Sequence, residues 1–416
     1  MRHRIGLAGI FLLLIFSRSF SQDLEIVTTG ARALGMGGAY IGEANDVSAL
    51  FWNPAGLVKI DHPEAVFDYI SNSREHEPNF YMKNYGYTIN NTSDYKNIYS
   101  SLAGYAYPIN SLNRRVVLAI AYQRQLDFYC NYSYVFNTHN SEGGAYSITP
   151  GIGVEILPSL SIGVTGNFWR GTHQLNINYY DDIYKTTMYF NESYDYSFSG
   201  NNLTAGLSID FDSMDINLPL KAGAMIRTPF DLTGDFQFDY HDLVNSEYGY
   251  LNGDVKIEMP MMLGAGVSLK LGKDVTITAD YETRMYSDRD FILTPDGDTV
   301  SSEAAISAAE VDLNQVRAGF EYRVPWQTRH VPLRIGYSTL PKLDCDAKLF
   351  EFVEPSYSAV TTKQVSLGCG LETMYFNVNT AVLFSNYSTE VEDDEIRENT
   401  YWNKRTIITN ISVFFK

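Results

Sequence analysis

The sequence predicts an all-β protein, a fourteen-stranded antiparallel transmembrane β-barrel with an N-terminal plug in its lumen. Three observations predict this fold. Apolar and polar residues alternate with period two from about residue 66 onward, and almost no segment keeps a helical period. Tight and long connections alternate between these stretches. The chain also contains 31 tyrosines, and such aromatic richness is typical of the girdles of membrane barrels.

Composition and charge exclude two other classes of protein. With 45% apolar and 19% charged residues, the chain is too apolar for a disordered protein. The formal net charge of −18 argues against nucleic-acid binding, because phosphate contacts need a basic surface. A soluble β-sandwich would also alternate, but fourteen successive strands with glycine on the polar face fit a barrel better.

The first residues predict a secretory signal peptide over 1–21. Arg2 and Arg4 precede an apolar run from Ile5 to Phe16, and small residues lead to a cleavage point near Ser21. The run is shorter than the roughly 20 apolar residues that a spanning helix needs. No later segment approaches that length, so a helical membrane protein is not expected.

The strand positions follow from the alternation of apolar and polar residues along the chain, which we call parity. Leu160, Ile162 and Val164 share one face of a predicted strand, while Ser161 and Thr165 share the other. Turn spacing then divides the barrel into strands near 66–72, 98–109, 114–136, 142–157, 160–180, 188–211, 216–240, 254–271, 274–286, 315–324, 331–339, 360–373, 376–386 and 403–415.

The connections predict two different ends of the barrel. Tight turns near Pro158, Lys273 and Tyr375 alternate with long segments. Acidic residues concentrate in three of those segments, so we expect a charged surface at one end, which leaves open a protein partner there. The run Glu392–Glu395 lacks the spacing and the glycine of a calcium loop. The long segments lie near 73–97, 241–253, 287–314, 340–359 and 387–402.

No motif indicates catalysis, a cofactor or a metal. Each Gly-x-Gly lacks the third glycine and the strand–helix context of a dinucleotide site, and no nucleophile or zinc-ligand spacing occurs. We therefore expect a protein that is not an enzyme, with no cofactor and no metal. Cys130, Cys345 and Cys369 are scattered, which favours three isolated thiols but leaves a Cys345–Cys369 bridge open.

A compact, apolar, glycine-rich segment precedes the first strand and is suited to folding inside the barrel. Asn45 or Asp46 is placed to cap a short helical turn through Phe51 that ends before Pro54. The predicted division is a hatch over 22–65 and a barrel over 66–416. The hatch residues of most interest are Gly35, Gly37, Gly38, Phe51, Trp52, Asn53, Pro54 and Ala55.

These residues resemble the FadL/TodX family of outer-membrane transporters for long-chain fatty acids and other hydrophobic compounds. The resemblance rests on the signal peptide, on Gly35-Met-Gly-Gly-Ala-Tyr40 and on Asn53-Pro-Ala55, with weaker echoes such as Asp280-Tyr-Glu282. It implies an outer-membrane barrel, surrounded by lipid, that takes up a hydrophobic ligand passively and is gated by its hatch. The same N-terminal block is similar to type IX secretion shuttle proteins, so a shuttle that binds protein partners through acidic loops is the alternative.

The resemblance also implies a kinked third strand that opens the wall laterally. The predicted third strand, Arg114 to Phe136, contains no glycine or proline to mark a kink, so we do not expect that opening here.

A hydrophobic carboxylate would need a cation in the lumen. Parity points many charged residues inward, and most should pair across strands, whereas an unpaired cation would be the carboxylate site. Arg170 shares the lipid-facing parity and is not a candidate. Leu343, Leu349, Phe350, Phe352 and Val353 are candidates for an apolar groove in a loop. The inward candidates for ligand binding are Lys221, Arg227, Arg317 and Arg334; the other inward charges are Lys270, Arg284, Arg323, Asp280, Glu282 and Glu321.

Overall fold

The computed structural model is a closed antiparallel barrel of 14 strands around an N-terminal plug. The first strand pairs with the last from Glu64↔Phe414 to Met82↔Ile396, which closes the sheet. The strands are β1 (Glu64–Met82), β2 (Ser93–Ile109), β3 (Val116–Asp127 and Cys130–Ser133), β4 (Asn137–Leu157), β5 (Leu160–Tyr180), β6 (Met188–Asp210), β7 (Leu220–Arg227 and Phe230–Asp242), β8 (Glu247–Met259 and Met261–Leu271), β9 (Val275–Met285 and Asp290–Pro295), β10 (Leu313–Trp326), β11 (Arg329–Asp346), β12 (Ser356–Glu372), β13 (Phe376–Glu392) and β14 (Ile396–Phe414).

Two short strands, Tyr87–Asn90 and Ala304–Ser307, extend the sheet at the end opposite to the tight turns. We call the end with the tight turns the turn end and the other the loop end. The structure describes residues 26–415 except 84–85, 91, 110–113, 134–136, 181–186, 215–217, 288, 296–303, 308–311, 328, 347–355 and 393–395. The signal peptide, the acidic run and most of the proposed loop groove therefore lie outside the described residues.

The wall near the turn end has an apolar outside and a polar inside. In β5, Ile162, Val164 and Phe168 are exposed on the outer surface, while Thr165 and Asn167 are buried inside. The outer apolar stretch from Leu160 to Arg170 covers about ten residues, which matches the roughly 25 Å apolar band of transmembrane barrels. Among the described residues, no helix is long and apolar enough to cross a membrane.

Polarity inverts beyond Arg170, which is exposed on the outer face as its parity predicts. Farther along β5, Thr172, Gln174 and Asn176 face outward, and Leu175 and Ile177 are buried inside. At the tilt of barrel strands, these last ten residues extend roughly 25 Å beyond the apolar band. Their inner face belongs to what we call the upper apolar cluster: Leu126, Phe128, Ala145, Trp169, Leu175, Ile177, Tyr194, Tyr196, Phe198, Leu232, Phe236, Phe238, Val255, Ile257 and Met259.

This inversion explains why the predicted long loops are wrong in extent. The fourteen predicted strands are present, but β1 continues to Met82, β8 begins at Glu247, and β13 and β14 run through most of 387–402. Strands β11 and β12 likewise extend into 340–359. Beyond the lipid boundary the apolar parity no longer faces outward, so the pattern that identified each strand stops there.

The third strand is kinked, contrary to the sequence expectation. Strand β3 pairs with β2 only as far as Gln123↔Leu102, its register with β4 shifts between Arg124 and Leu126, and the strand is interrupted after Asp127. The glycine that marks the kink lies on the neighbouring strand β4, where Gly143 has a φ of +112°. The lack of glycine and proline in β3 is therefore no argument against a wall opening between β2 and β3.

Three adjacent strands are also interrupted; β7 and β8 were predicted to be continuous at these points, whereas the predicted β9 ended at residue 286, at the start of its break. Pro229 follows the first part of β7, Pro260 separates the two parts of β8, and β9 is interrupted between Met285 and Asp290. Proline has no N–H to give to a ladder, which accounts for the first two breaks. All three lie near the level at which wall polarity inverts, so the wall changes direction there.

The register excludes a Cys345–Cys369 bridge. Cys345 pairs with Tyr357 and Cys369 pairs with Leu333, so the two cysteines lie at opposite ends of the β11–β12 hairpin. Cys130 is buried, with its Sγ 3.1 Å from the hydroxyl of Tyr95.

Residues 26–60, which we call the hatch, lie inside the barrel and are almost entirely buried. They contain two short helices, α1 (Ala31–Gly35) and α2 (Ala49–Trp52), followed by a 3₁₀ helix over Pro54–Lys59; a further 3₁₀ turn, Phe211–Ser213, lies between β6 and β7. The turn after α1 needs glycine, because Gly37 and Gly38 have φ values of +67° and +78°. The hatch leads into β1 at the turn end.

Glycines on the inner wall let the hatch backbone approach closely. A Cβ on Gly163 would lie 2.3 Å from the carbonyl carbon of Pro54, and a Cβ on Gly336 would lie 1.9 Å from the nitrogen of Gly37. At these positions the hatch is therefore seated against the backbone of the wall. This is why glycine recurs on the polar parity of the strands.

We predict that Gly163→Ala displaces Pro54 and loosens the hatch, at a cost of about 1–3 kcal/mol for overpacking. Gly166→Ala on the same strand is the matched control, because the nearest atom to its Cβ would be 3.6 Å away, on Phe168. Limited proteolysis of the detergent-solubilised protein should cleave the hatch faster in Gly163→Ala alone. Equal cleavage of the two variants would contradict this seating.

Candidate functional site: the lumen above the hatch

Buried wall carboxylates hold the hatch by its backbone. Asp280 accepts hydrogen bonds from the backbone N–H groups of Tyr40 and Ile41 through one oxygen, at 2.6 and 2.8 Å. Asp68 accepts from the N–H of Gly30 at 2.7 Å. Each bond gives an acceptor to a buried backbone N–H group of the hatch. These contacts fix the chain on either side of α1.

The Asn53-Pro-Ala motif seats the second half of the hatch. The Asn53 amide donates to the carbonyl oxygens of Ile41 and Leu207, both at 3.0 Å, while its oxygen accepts from the N–H of Ala55 at 3.1 Å. One side chain thus links two parts of the hatch to strand β6. On the first half, the Ser366 hydroxyl accepts from the N–H of Gly37 and donates to the carbonyl of Gly35.

An ion-pair network anchors α1 near the turn end. The Arg32 guanidinium lies 2.8 Å from Glu321 and 3.4 Å from Glu43. Burial by itself lowers the pKa of Arg32, but the nearby charges of Glu321 and Glu43 outweigh it and hold the pKa above its usual value. Burial likewise opposes ionisation of Glu43, yet Arg32 and neighbouring lysines lower its pKa. Both groups are therefore charged at neutral pH.

The bulky hatch residues Phe51 and Trp52 face arginines of the lumen wall on the loop side of the hatch. The Trp52 indole N–H donates to the carbonyl of Thr29 at 2.9 Å, and its ring lies 5.4 Å from the guanidinium carbon of Arg317. The Phe51 ring lies 5.2 Å from the guanidinium carbon of Arg227. Both distances are within cation–π range. The aromatic pair therefore connects the hatch with the charged wall above it.

Polar side chains form a belt around much of the lumen at this level, which we call the polar girdle. One arc runs through hydrogen bonds of 2.9–3.1 Å from β3 to β6, and Arg227 reaches its last member, Thr204, at 3.4 Å. A second arc spans β9 to β12. Its members are Gln125, Ser147, Thr149, Asn167, Thr204 and Arg227 in the first arc and Glu282, Arg284, Gln315, Arg317, Ser338 and Gln364 in the second.

Three of the four predicted ligand-binding cations have carboxylate partners. Lys221 lies 3.3 Å from Asp210, Arg317 lies 2.8 Å from Glu282, and Arg334 lies 2.6 Å from Glu321. The other inward cations pair as well: Arg284 with Glu282, Arg323 with Glu372 and Lys270 with Glu43.

Arg227 is different. Its side chain is buried, and within the described part of the chain no carboxylate oxygen lies within 4.0 Å of it. Its partners are the Thr204 hydroxyl at 3.4 Å, the Met262 sulfur at 3.7 Å and the Phe51 ring. The charge of Glu282 also acts on Arg227, but that carboxylate is already paired with Arg284 and Arg317.

The space around the girdle is closed in this structure. The cavity between Trp52, Met262, Arg284 and Arg317 measures only about 40 Å³, little more than the volume of one water molecule. On the loop side of this cavity, the residues of the upper apolar cluster are buried as well. A ligand therefore needs a rearrangement of the hatch or of the cluster before it can enter.

Comparison with known proteins places this arrangement among solved channel structures. The FadL homologue of Pseudomonas aeruginosa matches with a TM-score of 0.66 and 12% identity, over 94% of this chain and 98% of that one. The Pseudomonas putida toluene transporter TodX matches with 0.63 and 15%, over 94% and 99%. The Ralstonia pickettii toluene transporter TbuX matches with 0.59 and 13%, over 93% and 98%.

The chain has the fold of FadL/TodX-type transporters. This confirms, at the level of fold, the resemblance that the N-terminal block predicted. No protein-family model and no curated protein matches the chain. Across the described residues, no group of three or more His, Cys, Asp or Glu is placed to hold a metal ion.

Sequence reasoning missed two parts of the site. The upper apolar cluster was missed although its members lie within the predicted strands, because the apolar parity was expected to face lipid along the whole of each strand. The amide and hydroxyl members of the girdle, such as Asn167 and Thr204, were missed because only charges were considered. Their inward parity was the signal that could have found them.

We predict that Asp280→Ala releases the hatch locally, because two buried N–H groups lose their acceptor at about 1–3 kcal/mol each. Amide hydrogen exchange of Tyr40 and Ile41 should become roughly tenfold to a hundredfold faster. Asp235→Ala, on the exposed outer face of β7, is the control and should leave both amides unchanged. Unchanged exchange in Asp280→Ala would show that the carboxylate does not hold the hatch.

Proposed function

We propose that this protein is an outer-membrane channel for the passive uptake of hydrophobic small molecules, with long-chain fatty acids as its cargo and the hatch as its gate. The observation that carries this proposal is the position of an unpaired buried arginine, Arg227, beneath an apolar cluster inside a membrane barrel. Two of the structural neighbours are toluene transporters and a third is a FadL homologue, which supports the same class of function.

The upper apolar cluster supports a hydrophobic cargo. It lines the lumen in the part of the barrel that extends beyond the lipid band. A channel for polar cargo would have a polar lining at this level. Each methylene group of an alkyl chain that replaces these contacts contributes about 0.8 kcal/mol. A chain of fatty-acid length would therefore compete effectively with the packing that closes the cluster.

The cation supports a carboxylate head group. Arg227 ends the first part of β7, at the junction of the girdle with the cluster above it. A carboxylate there would accept charge-assisted hydrogen bonds while its alkyl chain points into the cluster. Since Arg227 also contacts Phe51, an arriving anion would compete with the hatch for the guanidinium. We propose this competition as the step that loosens the hatch.

The missing ladder between β2 and β3 supports a lateral way out of the lumen. Toward the loop end from Leu102 the two strands have no ladder pairing and are joined by side chains, such as Asn97 to Asp127 at 3.0 Å. A bridge between Ile26 and Leu126 connects the hatch with this edge of β3. The Val27 N–H donates to the Gln125 carbonyl at 2.9 Å. Movement of the hatch would therefore free this edge of β3.

The secretion-shuttle alternative depends on acidic side chains in 287–314, 340–359 and 387–402, most of which the structure does not describe. The acidic carboxylates that the structure places in the lumen instead pair with the wall and the hatch. The channel proposal is the one that the described geometry supports.

We predict that Arg227→Met weakens binding of radiolabelled oleate to the detergent-solubilised protein by about 10- to 100-fold, the equivalent of one charge-assisted hydrogen bond. Methyl oleate, which carries no charge, should bind both proteins equally. Arg227→Lys should recover part of the affinity.

Arg323→Met is the control, because Arg323 pairs with Glu372 near the turn end. It should leave oleate affinity unchanged. If Arg227→Met binds oleate as tightly as the unmodified protein, or loses oleate and methyl oleate alike, Arg227 is not the head-group site.

A further inference from the structure

A second group of cations surrounds Glu43, at the turn end of the lumen and on the far side of the hatch from Arg227. Glu43 is buried, and its carboxylate lies 3.5 Å from Lys270 and 3.4 Å from Arg32. Its other oxygen accepts from the hydroxyl of Ser268 at 2.8 Å. Lys221 on the adjacent strand pairs with Asp210.

Lys59 completes this group without a carboxylate of its own. It is the last residue of the 3₁₀ helix of the hatch, and its ammonium group donates to the carbonyl of Gly42 at 3.5 Å, a long bond. Within the described ranges, no carboxylate oxygen lies within 4.0 Å of it. Burial, together with the charges of Lys221 and Lys270, lowers the pKa of Lys59 to about 8 even though Glu43 opposes the shift.

Positive charge is therefore in excess around Lys59. Four cations, Arg32, Lys59, Lys221 and Lys270, face three carboxylates, Glu43, Asp210 and Glu321. Glu321 is shared, because it also pairs with Arg334 at 2.6 Å. The existing ion pairs leave Lys59 as the group with the least compensation.

Lys59 and Lys270 also line an open space. A cavity of about 490 Å³ lies at the turn end, where both lysines border it together with Arg32 and Glu43. Its lining also includes the carboxylates and cations of Asp46, Asp61, Glu64, Glu372, Lys273 and Arg323, but the charges that act on Lys59 are those of Lys221, Glu43, Lys270 and Asp210. The volume is within the range of small-molecule sites and is ample for a carboxylate with a short alkyl chain. An anion arriving beside Lys59 would replace its weak bond to Gly42.

We propose that this cavity is an anion site in which Lys59 and Lys270 bind a carboxylate, with Lys221 adding to the local positive charge. The role of the site as the last contact of departing cargo rests on the proposed channel function. In that role, the carboxylate would pass from Arg227 above the hatch to Lys59 below it. The ammonium of Lys59 would exchange the carbonyl of Gly42 for the carboxylate.

The test is protection of Lys59 in the full-length, unmodified protein. An amine-acylating reagent at pH 8 labels accessible lysines, and mass spectrometry measures labelling at each position. Octanoate should reduce labelling of Lys59 and Lys270 at least fivefold, whereas octanol should not. Lys363, exposed on the outer face of β12, is the internal control and should label equally with either compound.

Acetate distinguishes the two sources of a carboxylate. Protection by octanoate at much lower concentration than acetate identifies an amphiphilic cargo, and equal protection identifies a free organic acid; either result supports the site. Equal labelling of Lys59 with and without octanoate, or equal protection by octanol, would overturn it. Lys59→Met should then remove the protection of Lys270, which confirms that the two lysines share one anion.

The two proposals fail separately. If octanoate does not protect Lys59 while Arg227→Met loses oleate affinity, the anion site is wrong and the channel proposal stands. If octanoate protects Lys59 while Arg227→Met binds oleate normally, the head-group proposal is wrong and the anion site stands.

Discussion

Closing fourteen strands into one barrel obliges each strand to give one face to lipid and the other to the lumen. The level at which the outer face stops contacting lipid determines where polar and apolar side chains lie in the rest of the structure. Near the turn end the outer face is apolar, so the polar residues of each strand face the lumen and form ion pairs there. Beyond Arg170 there is no lipid to satisfy, and the apolar residues turn inward to form the upper cluster.

The hatch lies across this change of polarity. Its backbone is held by wall acceptors such as Asp280, Asp68 and Ser366, while its aromatic residues face the arginines of the girdle. Each polar contact is worth roughly 1–3 kcal/mol, which is small enough to exchange for contacts with an incoming ligand. Contacts of this size would let the hatch act as the gate that we propose.

Much of the architecture was predictable from the sequence, and the reason is periodicity. Alternation along β7, β10 and β11 identified these strands and assigned Lys221, Arg317 and Arg334 to the lumen. It could not identify Arg227 as the unpaired cation, since Arg284 has the same parity and differs only in having Glu282 beside it. The kink in β3 escaped because its glycine lies on β4, one strand away in the sheet.

The central claim is that the lumen is a path for an amphiphile whose head group stops at Arg227. Its most direct measurement is a crystal structure of the protein with a long-chain carboxylate that carries bromine at its methyl end. The account predicts a carboxylate within hydrogen-bond distance of the Arg227 guanidinium and anomalous bromine density among the residues of the upper apolar cluster. Bromine density only on the lipid-facing outer wall, with Arg227 still against Phe51 and Thr204, would contradict it.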